Sequence, residues 1–306
     1  MLKLQRSEYN PILVPSELPW ENMLVFNPAA IMVGEYVYLV YRAMGKDTII
    51  SQLGLATSKD GIHFERRQKP LYDGGGQPAE ALGIEDPRIV QIEDTYYLTY
   101  TAVSEDLDAE INRSKIGEIA KKPMIALSTT KDFLSFVDYD VIIPNLSGKN
   151  SSLFPQKDNG EYWMLYREGV GKTYFAKSSN LILWRDRAMV FEERPGYWDC
   201  KRTGIGAPPI LTEKGWLLFY HGVDDANTYR LGIMFLDRNN PVKILYRSSE
   251  PVFEPEKDYE KFGYIENVVF TCGVIEKNNM YYVYYGASDR VIGLATIEKQ
   301  AVLALF

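Results

Sequence analysis

Cysteine and histidine are nearly absent from this chain, with two of each among 306 residues. Cys200 and Cys272 form no metal-ligand spacing and no disulfide framework, which points to a reducing cytoplasm. No metal or organic cofactor is expected. Long apolar runs are missing too. Nothing approaches the length that spans a bilayer, and residues 1–15 hold no signal-peptide core, so no membrane partner is expected. Long basic runs are also missing, and the formal net charge is −7, which argues against nucleic acid. No long helical periodicity appears. No composition break or Ser/Gly/Pro linker divides the chain, so residues 1–306 read as one domain. A homo-oligomer is compatible with the sequence.

What the chain does have is aromatic residues. Its 22 Tyr and 13 Phe suit strands, and 46% hydrophobic residues give ample material for a core. One unit recurs: an aromatic-rich strand ending at a tyrosine, then a second alternating strand, then a turn. The tyrosines are Tyr41, Tyr100, Tyr166, Tyr220 and Tyr285, separated by 59, 66, 54 and 65 residues. The following strands, "LGLATS" (53–58), "MIALST" (124–129), "YFAKSS" (174–179), "LGIMFL" (231–236) and "IGLATI" (292–297), repeat in step. Self-similarity at this period predicts an all-β, five-bladed β-propeller with its site at the mouth of the central channel. Blades are expected to begin near residues 25, 84, 150, 204 and 265, with terminal segments closing the ring. Residues 104–122 are charged and without alternation. They read as an insertion in the second unit, a solvated loop rather than a short helix or a lid.

Residues that differ at equivalent places in a shared frame are the functional suspects. Fourteen positions before each tyrosine stand Asn27, Asp86, Ser152, Gly206 and Thr271, of which only Asp86 is an acid. It lies in "GIEDPRI" (83–89), which taken alone is an ordinary turn before a strand. One position after each tyrosine stand Arg42, Thr101, Arg167, His221 and Gly286. Lys201 and Arg202 open the fourth unit. Each cation alone reads as a surface ion pair, and His221 alone as a structural histidine. Together Arg167, Lys201 and His221 predict a pocket for a small oxyanion. One acid opposite an anion pocket fits glycoside cleavage by inorganic phosphate, because hydrolysis with inversion needs a second carboxylate to activate water.

Several stretches together resemble glycoside hydrolase family 130, the five-bladed mannoside phosphorylases. They are "NPILVPSELPWENMLVFNPAAI" (10–31), "GIEDPRI", "KRTGIGAPPILTEKGWLLFYHGV" (201–223), "FEPEKDYEKFGYIENVVFTCG" (253–273) and "YYGASDRVIGLAT" (284–296). The resemblance implies inverting phosphorolysis of a β-mannoside, β-1,2 or β-1,4 linked, giving α-mannose 1-phosphate. Asp86 would be the general acid, passing its proton through the mannose 3-hydroxyl. Asn27, Arg42 and Asp289 would hold the mannose, with Glu85 and Arg88 beside the acid. Arg167, Lys201 and His221 would hold phosphate, and Glu168 stands where some members carry Asn. The expected partners are a small oligosaccharide and phosphate as co-substrate. Glu85 and bound phosphate are expected to favour the protonated acid, with Arg88 opposing if close. The alternatives are a β-mannosidase, with Glu85, Glu168 or Glu266 as its second acid, and a non-catalytic carbohydrate-binding propeller. A furanoside-cleaving propeller would need three acids on separate blades. Linkage and acceptor are set by loops such as 45–52 and 104–122.

Overall fold

Alternating and aromatic-rich segments pair with their sequence neighbours, so each repeat becomes one antiparallel sheet. The computed structural model describes residues 2–48, 50–73, 77–105, 121–143, 146–169 and 171–305. The core of the predicted insertion, 106–120, lies outside the described residues. Its flanks, Ser104 and Glu105, pair with Lys122 and Lys121.

The first blade comprises Leu24–Val33, Tyr36–Met44, Gln52–Ser58 and Glu65–Arg66. The second comprises Ile84–Ile92, Thr95–Glu105, Lys121–Thr130 and Val137–Val141. The third comprises Gly148–Leu153, Tyr162–Glu168, Lys172–Ser178 and Arg185–Phe191. In the fourth, Arg202–Ile205 and Ile210–Thr212 share one side of Gly215–Val223, followed by Tyr229–Leu236 and Ile244–Arg247. The fifth takes Val269–Lys277, Met280–Ala287 and Val291–Glu298 from its own repeat. Its outermost strand is Gln5–Arg6 from the N-terminus. Inner strands of the first four blades contact one another in turn, and that of the fifth meets the second and third strands of the fourth blade on one side and the inner strand of the first on the other. This is a five-bladed propeller. Four blades begin within two residues of the expected positions. The fifth inner strand begins at Val269 rather than near 265, because residues 258–268 form a short helix (Asp258–Lys261) and a loop. Backbone bonds hold that loop, from Val268 N–H to Glu260 O and from Tyr264 N–H to Ser288 O.

The core is divided by the ring. Five large apolar clusters lie between successive blades; one joins Ala29 and Val40 to Ile89 and Leu98, and another joins Val25 and Leu39 to Ile275 and Ile292. Edge-on aromatic contacts such as Phe154 against Trp216 (centroids 4.8 Å) add directional packing.

The tyrosines that mark the repeat share a job in four blades. Tyr41, Tyr100, Tyr220 and Tyr285 donate their hydroxyls to Glu21 (2.6 Å), Glu80 (2.5 Å), Asp199 (3.0 Å) and Glu260 (2.8 Å). Each acid sits in the segment ahead of its blade's inner strand, so the bond ties that segment to the second strand. In three of these blades an arginine from the outermost strand completes the tie. Arg66 reaches Glu21 (2.9 Å), Arg247 reaches Asp199 (2.6 Å) and Arg6 reaches Glu260 (2.8 Å). A buried carboxylate holds its charge when so paired and hydrogen-bonded. Among the described residues no helix is long and apolar enough to cross a membrane.

Candidate active site

The inner strands of the first three blades are interrupted by β-bulges. Pairing shifts between Phe26 and Ala29, between Glu85 and Arg88, and between Lys149 and Ser152. The bulged residues Asn27, Asp86 and Asn150 adopt left-handed backbone, with φ of 47°, 52° and 50°. Asn and Asp tolerate that region better than other non-glycine residues. Pro28 and Pro87 follow two of them, where an absent N–H costs no ladder bond. The stretch 83–89 is thus a bulge within a strand, not a turn before one. The third counterpart of Asp86 is Asn150, not Ser152. The hairpin between Leu153 and the Asp158–Glu161 turn carries two extra residues and displaces the count.

Bulges re-aim side chains, and here Asn27, Glu85, Asp86, Lys149 and Asn150 all line one cavity of about 210 Å³. The second strands add Arg42, Arg167 and His221. The fourth and fifth blades complete the wall with Arg202, Tyr229, Phe270 and Asp289. All five blades therefore meet at this site.

Asp86 accepts a hydrogen bond from Asn27 Nδ2 at 2.8 Å and lies 3.5 Å from Arg42 Nη1. Glu85 is held by Arg42 Nη2 and Lys149 Nζ, each at 2.7 Å. Burial would raise the Glu85 carboxyl, but Arg42 and Lys149 outweigh it and hold it down to about 2. Glu85 is therefore an ion-paired acid, not a free charge beside Asp86. Asp289 contrasts with it. Burial, joined by Asp86 and Glu85 against the opposing pull of Arg42, pushes its carboxyl up to about 7.

Across the cavity stand the cations. Among the described residues neither Arg167 nor Arg202 makes an ion pair. Arg167 is buried, with Nε unpartnered, and burial together with Arg202 lowers its guanidinium to about 10. It stays charged at neutral pH, repelled by its neighbour. His221 is fully buried, and its Nδ1 donates to Ile205 O at 3.3 Å. Burial, Arg167 and Arg88 push the ring far below its ordinary value, so it is neutral at neutral pH. Two unpaired arginines and a neutral ring form a site short of negative charge.

Two expected site residues lie elsewhere. Lys201 is exposed and donates to Asn227 Oδ1 at 2.6 Å. Strand alternation explains this: Gly204 pairs with the cavity-lining His221, so Arg202, two residues away, shares its face and Lys201 takes the other. Arg202 is held by Tyr229, whose hydroxyl accepts from Nη1 at 2.7 Å. Arg88 is also outside the cavity. Its guanidinium donates to Gly206 O (2.6 Å), Ile205 O (3.2 Å) and Asp86 O (2.9 Å), stitching the second blade to the fourth. Glu168 faces away and pairs with Arg187, and Glu266 is exposed. Sequence reading missed Lys149, Asn150 and Arg202. The dipeptide Asn150-Ser151, parallel to Asn27-Pro28 and Asp86-Pro87, was the available signal for two of them. No group of three or more His, Cys, Asp or Glu among the described residues could hold a metal ion.

A family model described as β-1,4-mannooligosaccharide phosphorylase matches residues 4–306. A 1,2-β-oligomannan phosphorylase of Thermoanaerobacter sp. is 41% identical, with 99% of each chain covered. A β-1,2-mannobiose phosphorylase of the same source is 39% identical over 99% of each. The Listeria innocua β-1,2-mannobiose phosphorylase, solved with β-1,2-mannobiose, superposes with a TM-score of 0.85 at 28% identity, covering 98% of both chains. With the propeller, the bulged acid and the match across almost its whole length, the chain belongs to glycoside hydrolase family 130.

Proposed function

We propose that this protein is a phosphorylase that cleaves β-mannosides, preferentially β-1,2 linked, with inorganic phosphate. The observation that carries the reading is the single cavity in which Asp86 faces Arg167, Arg202 and His221. The relatives named above support the β-1,2 preference. Asp86 gives its proton to the glycosidic oxygen, directly or through a sugar hydroxyl. The bond from that oxygen to the anomeric carbon breaks, and a phosphate oxygen bonds to the opposite face of the carbon. The products are α-mannose 1-phosphate and a mannoside one unit shorter. Asn27 and Arg42 orient Asp86 and, with Asp289, the mannose. The arginines bind the phosphate charge in place, where fixed cations stabilise the transition state most. Neutral His221, its Nδ1–H already donated, accepts from the hydroxyl of hydrogen phosphate through Nε2.

Hydrolysis is the second reading, and the raised carboxyl of Asp289 in the same cavity is what favours it. Incubation with β-1,2- and β-1,4-mannobiose, with and without phosphate, separates the two. Mannose 1-phosphate formed only with phosphate, and faster from the β-1,2 disaccharide, is the expected result. Free mannose at equal rates in both arms would replace phosphorolysis with hydrolysis.

A further inference from the structure

We infer that Glu80, Tyr100, Tyr72 and Asp138 form a proton-held latch that positions the segment carrying Glu85 and Asp86. The second blade has the tyrosine–acid tie of the first, fourth and fifth blades but, among the described residues, not its arginine. Where the outermost strands of the first, fourth and fifth blades present Arg66, Arg247 and Arg6, that of the second presents Asp138. Tyr100 donates to Glu80 Oε1 at 2.5 Å. Tyr72 lies 3.3 Å from the Tyr100 hydroxyl and donates to Asp138 Oδ1 at 2.9 Å. Ser128 donates to the same oxygen at 2.6 Å. Two carboxyl groups are thus bridged by hydroxyls alone.

Glu80 is 6% exposed, and its Oε2 has no hydrogen-bond partner among the described residues. Among the described residues the titratable groups that act on it most strongly are Tyr100 on the second strand, Tyr72 in the preceding loop, and Asp138 and Asp140 on the outermost strand, none of them a cation. Burial raises the Glu80 carboxyl to about 7; the Tyr100 bond opposes this, and Asp138 and Asp140 reinforce it. With a proton Glu80 is a neutral group that still accepts from Tyr100. Without it, a buried charge faces another acid.

Glu80 acts through the backbone. Its carbonyl accepts from Gly83 N–H at 2.8 Å, and Leu82 N–H is bonded to Val103 O at 2.8 Å. Gly83 has φ of 106° and lies so close to Ser51 that an added Cβ would sit 2.7 Å from Ser51 N. Two residues on is Glu85, then Asp86. Glu80 is therefore a positioning residue, not a catalytic one. Its folded value lies above the ordinary carboxyl value of about 4.5. The stabilisation it gives is then complete below that pH and is lost as pH rises through about 7.

The test compares wild type, Glu80→Gln and Asp138→Arg between about pH 5.5 and 8.5. It reads ligand-free thermal midpoints, amide exchange over residues 77–92 corrected for intrinsic rates, and kcat of phosphorolysis. In wild type, protection of 77–92 should fall by up to about thirtyfold across this range, with the midpoint falling alongside. Glu80→Gln carries a neutral isostere and Asp138→Arg supplies the missing cation, so neither should show the fall. If Glu80→Gln does not fold, Asp138→Arg decides alone. Parallel pH profiles in wild type and the variants would overturn the latch. An exchange difference that kcat does not follow would overturn its positioning role. Only the kcat readout rests on the phosphorylase reading. Should no phosphorolysis be found at any pH, that reading fails while exchange and midpoints still decide the latch.

Discussion

Asp86 and its counterparts Asn27 and Asn150 take the same left-handed backbone, and asparagine serves at two of the three. Backbone strain therefore does not call for a carboxyl at 86; chemistry does. Asp86→Asn keeps the bulge and removes the transferable proton. It should lower kcat on a β-mannobiose by roughly a hundred- to ten-thousand-fold, the usual share of general acid catalysis, with KM for phosphate little changed. Near-normal kcat would remove Asp86 from the role. The cations divide just as sharply. Arg202→Ala deletes an unpaired cavity charge and should raise KM for phosphate by roughly ten- to a hundredfold, as expected for a charged hydrogen bond. Lys201→Ala touches an exposed contact to Asn227 and should stay within about twofold. Initial rates against phosphate concentration measure both, and the reverse order would place Lys201 in the anion site.

At the scale of strands, the close approach of backbone and side chain decides where the acid points. Gly286 pairs with Phe270, and a Cβ added there would lie 2.3 Å from Asn27 Oδ1 and 2.8 Å from Asn27 N. Gly286→Ala must move Asn27, whose Nδ2 holds Asp86 at 2.8 Å. A displacement on the order of 1 Å can cost about a hundredfold in rate. The expected result is a drop of roughly ten- to a hundredfold in kcat/KM with the β-sheet circular dichroism intact; unchanged kinetics would show that Asn27 does not position Asp86. The same scale shows what sequence could tell. Tyrosine spacing revealed five blades because each tyrosine has the same packing and, in four blades, the same acid partner. Counting back from them located Asn27 and Asp86, whose hairpins turn tightly at Val33–Tyr36 and Ile92–Thr95. It failed for Asn150, because two residues added beyond Leu153 shift position without altering hydrophobic alternation. It also placed Lys201 in the site instead of Arg202. A one-residue error flips a side chain across the sheet, and nothing local to "KRTG" marks the strand's parity. Arg88, read as a site cation, is drawn away by carbonyls of the fourth blade, a partner remote in sequence.

For the whole ring, the N-terminal segment joins the fifth blade at Gln5 and Arg6, paired with Thr296 and Ala295, and again at Leu13, bridged to Ile292. The two-residue strand is a short clasp, and it is reinforced by the side chain of Arg6. Its Nε and Nη2 grip both oxygens of Glu260 at 2.8 and 2.9 Å, Nη2 also donates to Glu254 O, and the guanidinium lies 4.3 Å from the Phe253 ring. Glu260 is fully buried and also accepts from Tyr285 and from the N–H groups of Glu256 and Lys257. Arg6→Met keeps an apolar stem over Phe253 but strands this carboxylate. Removing one partner of a buried pair costs about 3–5 kcal/mol, so the urea midpoint at neutral pH should fall accordingly. The pH dependence gives an internal check. Burial would raise the Glu260 carboxyl, but Arg6 and the two backbone donors outweigh it and lower it. The stabilisation from a lowered acid is present above its unfolded value, about 4.5, and is lost as pH falls through the lower folded value. The gap between wild type and Arg6→Met should therefore be widest near neutrality and narrow in acid as Glu260 takes up a proton. A gap that stays constant with pH would mean that Arg6 closes the ring by packing on Phe253 rather than by neutralising Glu260.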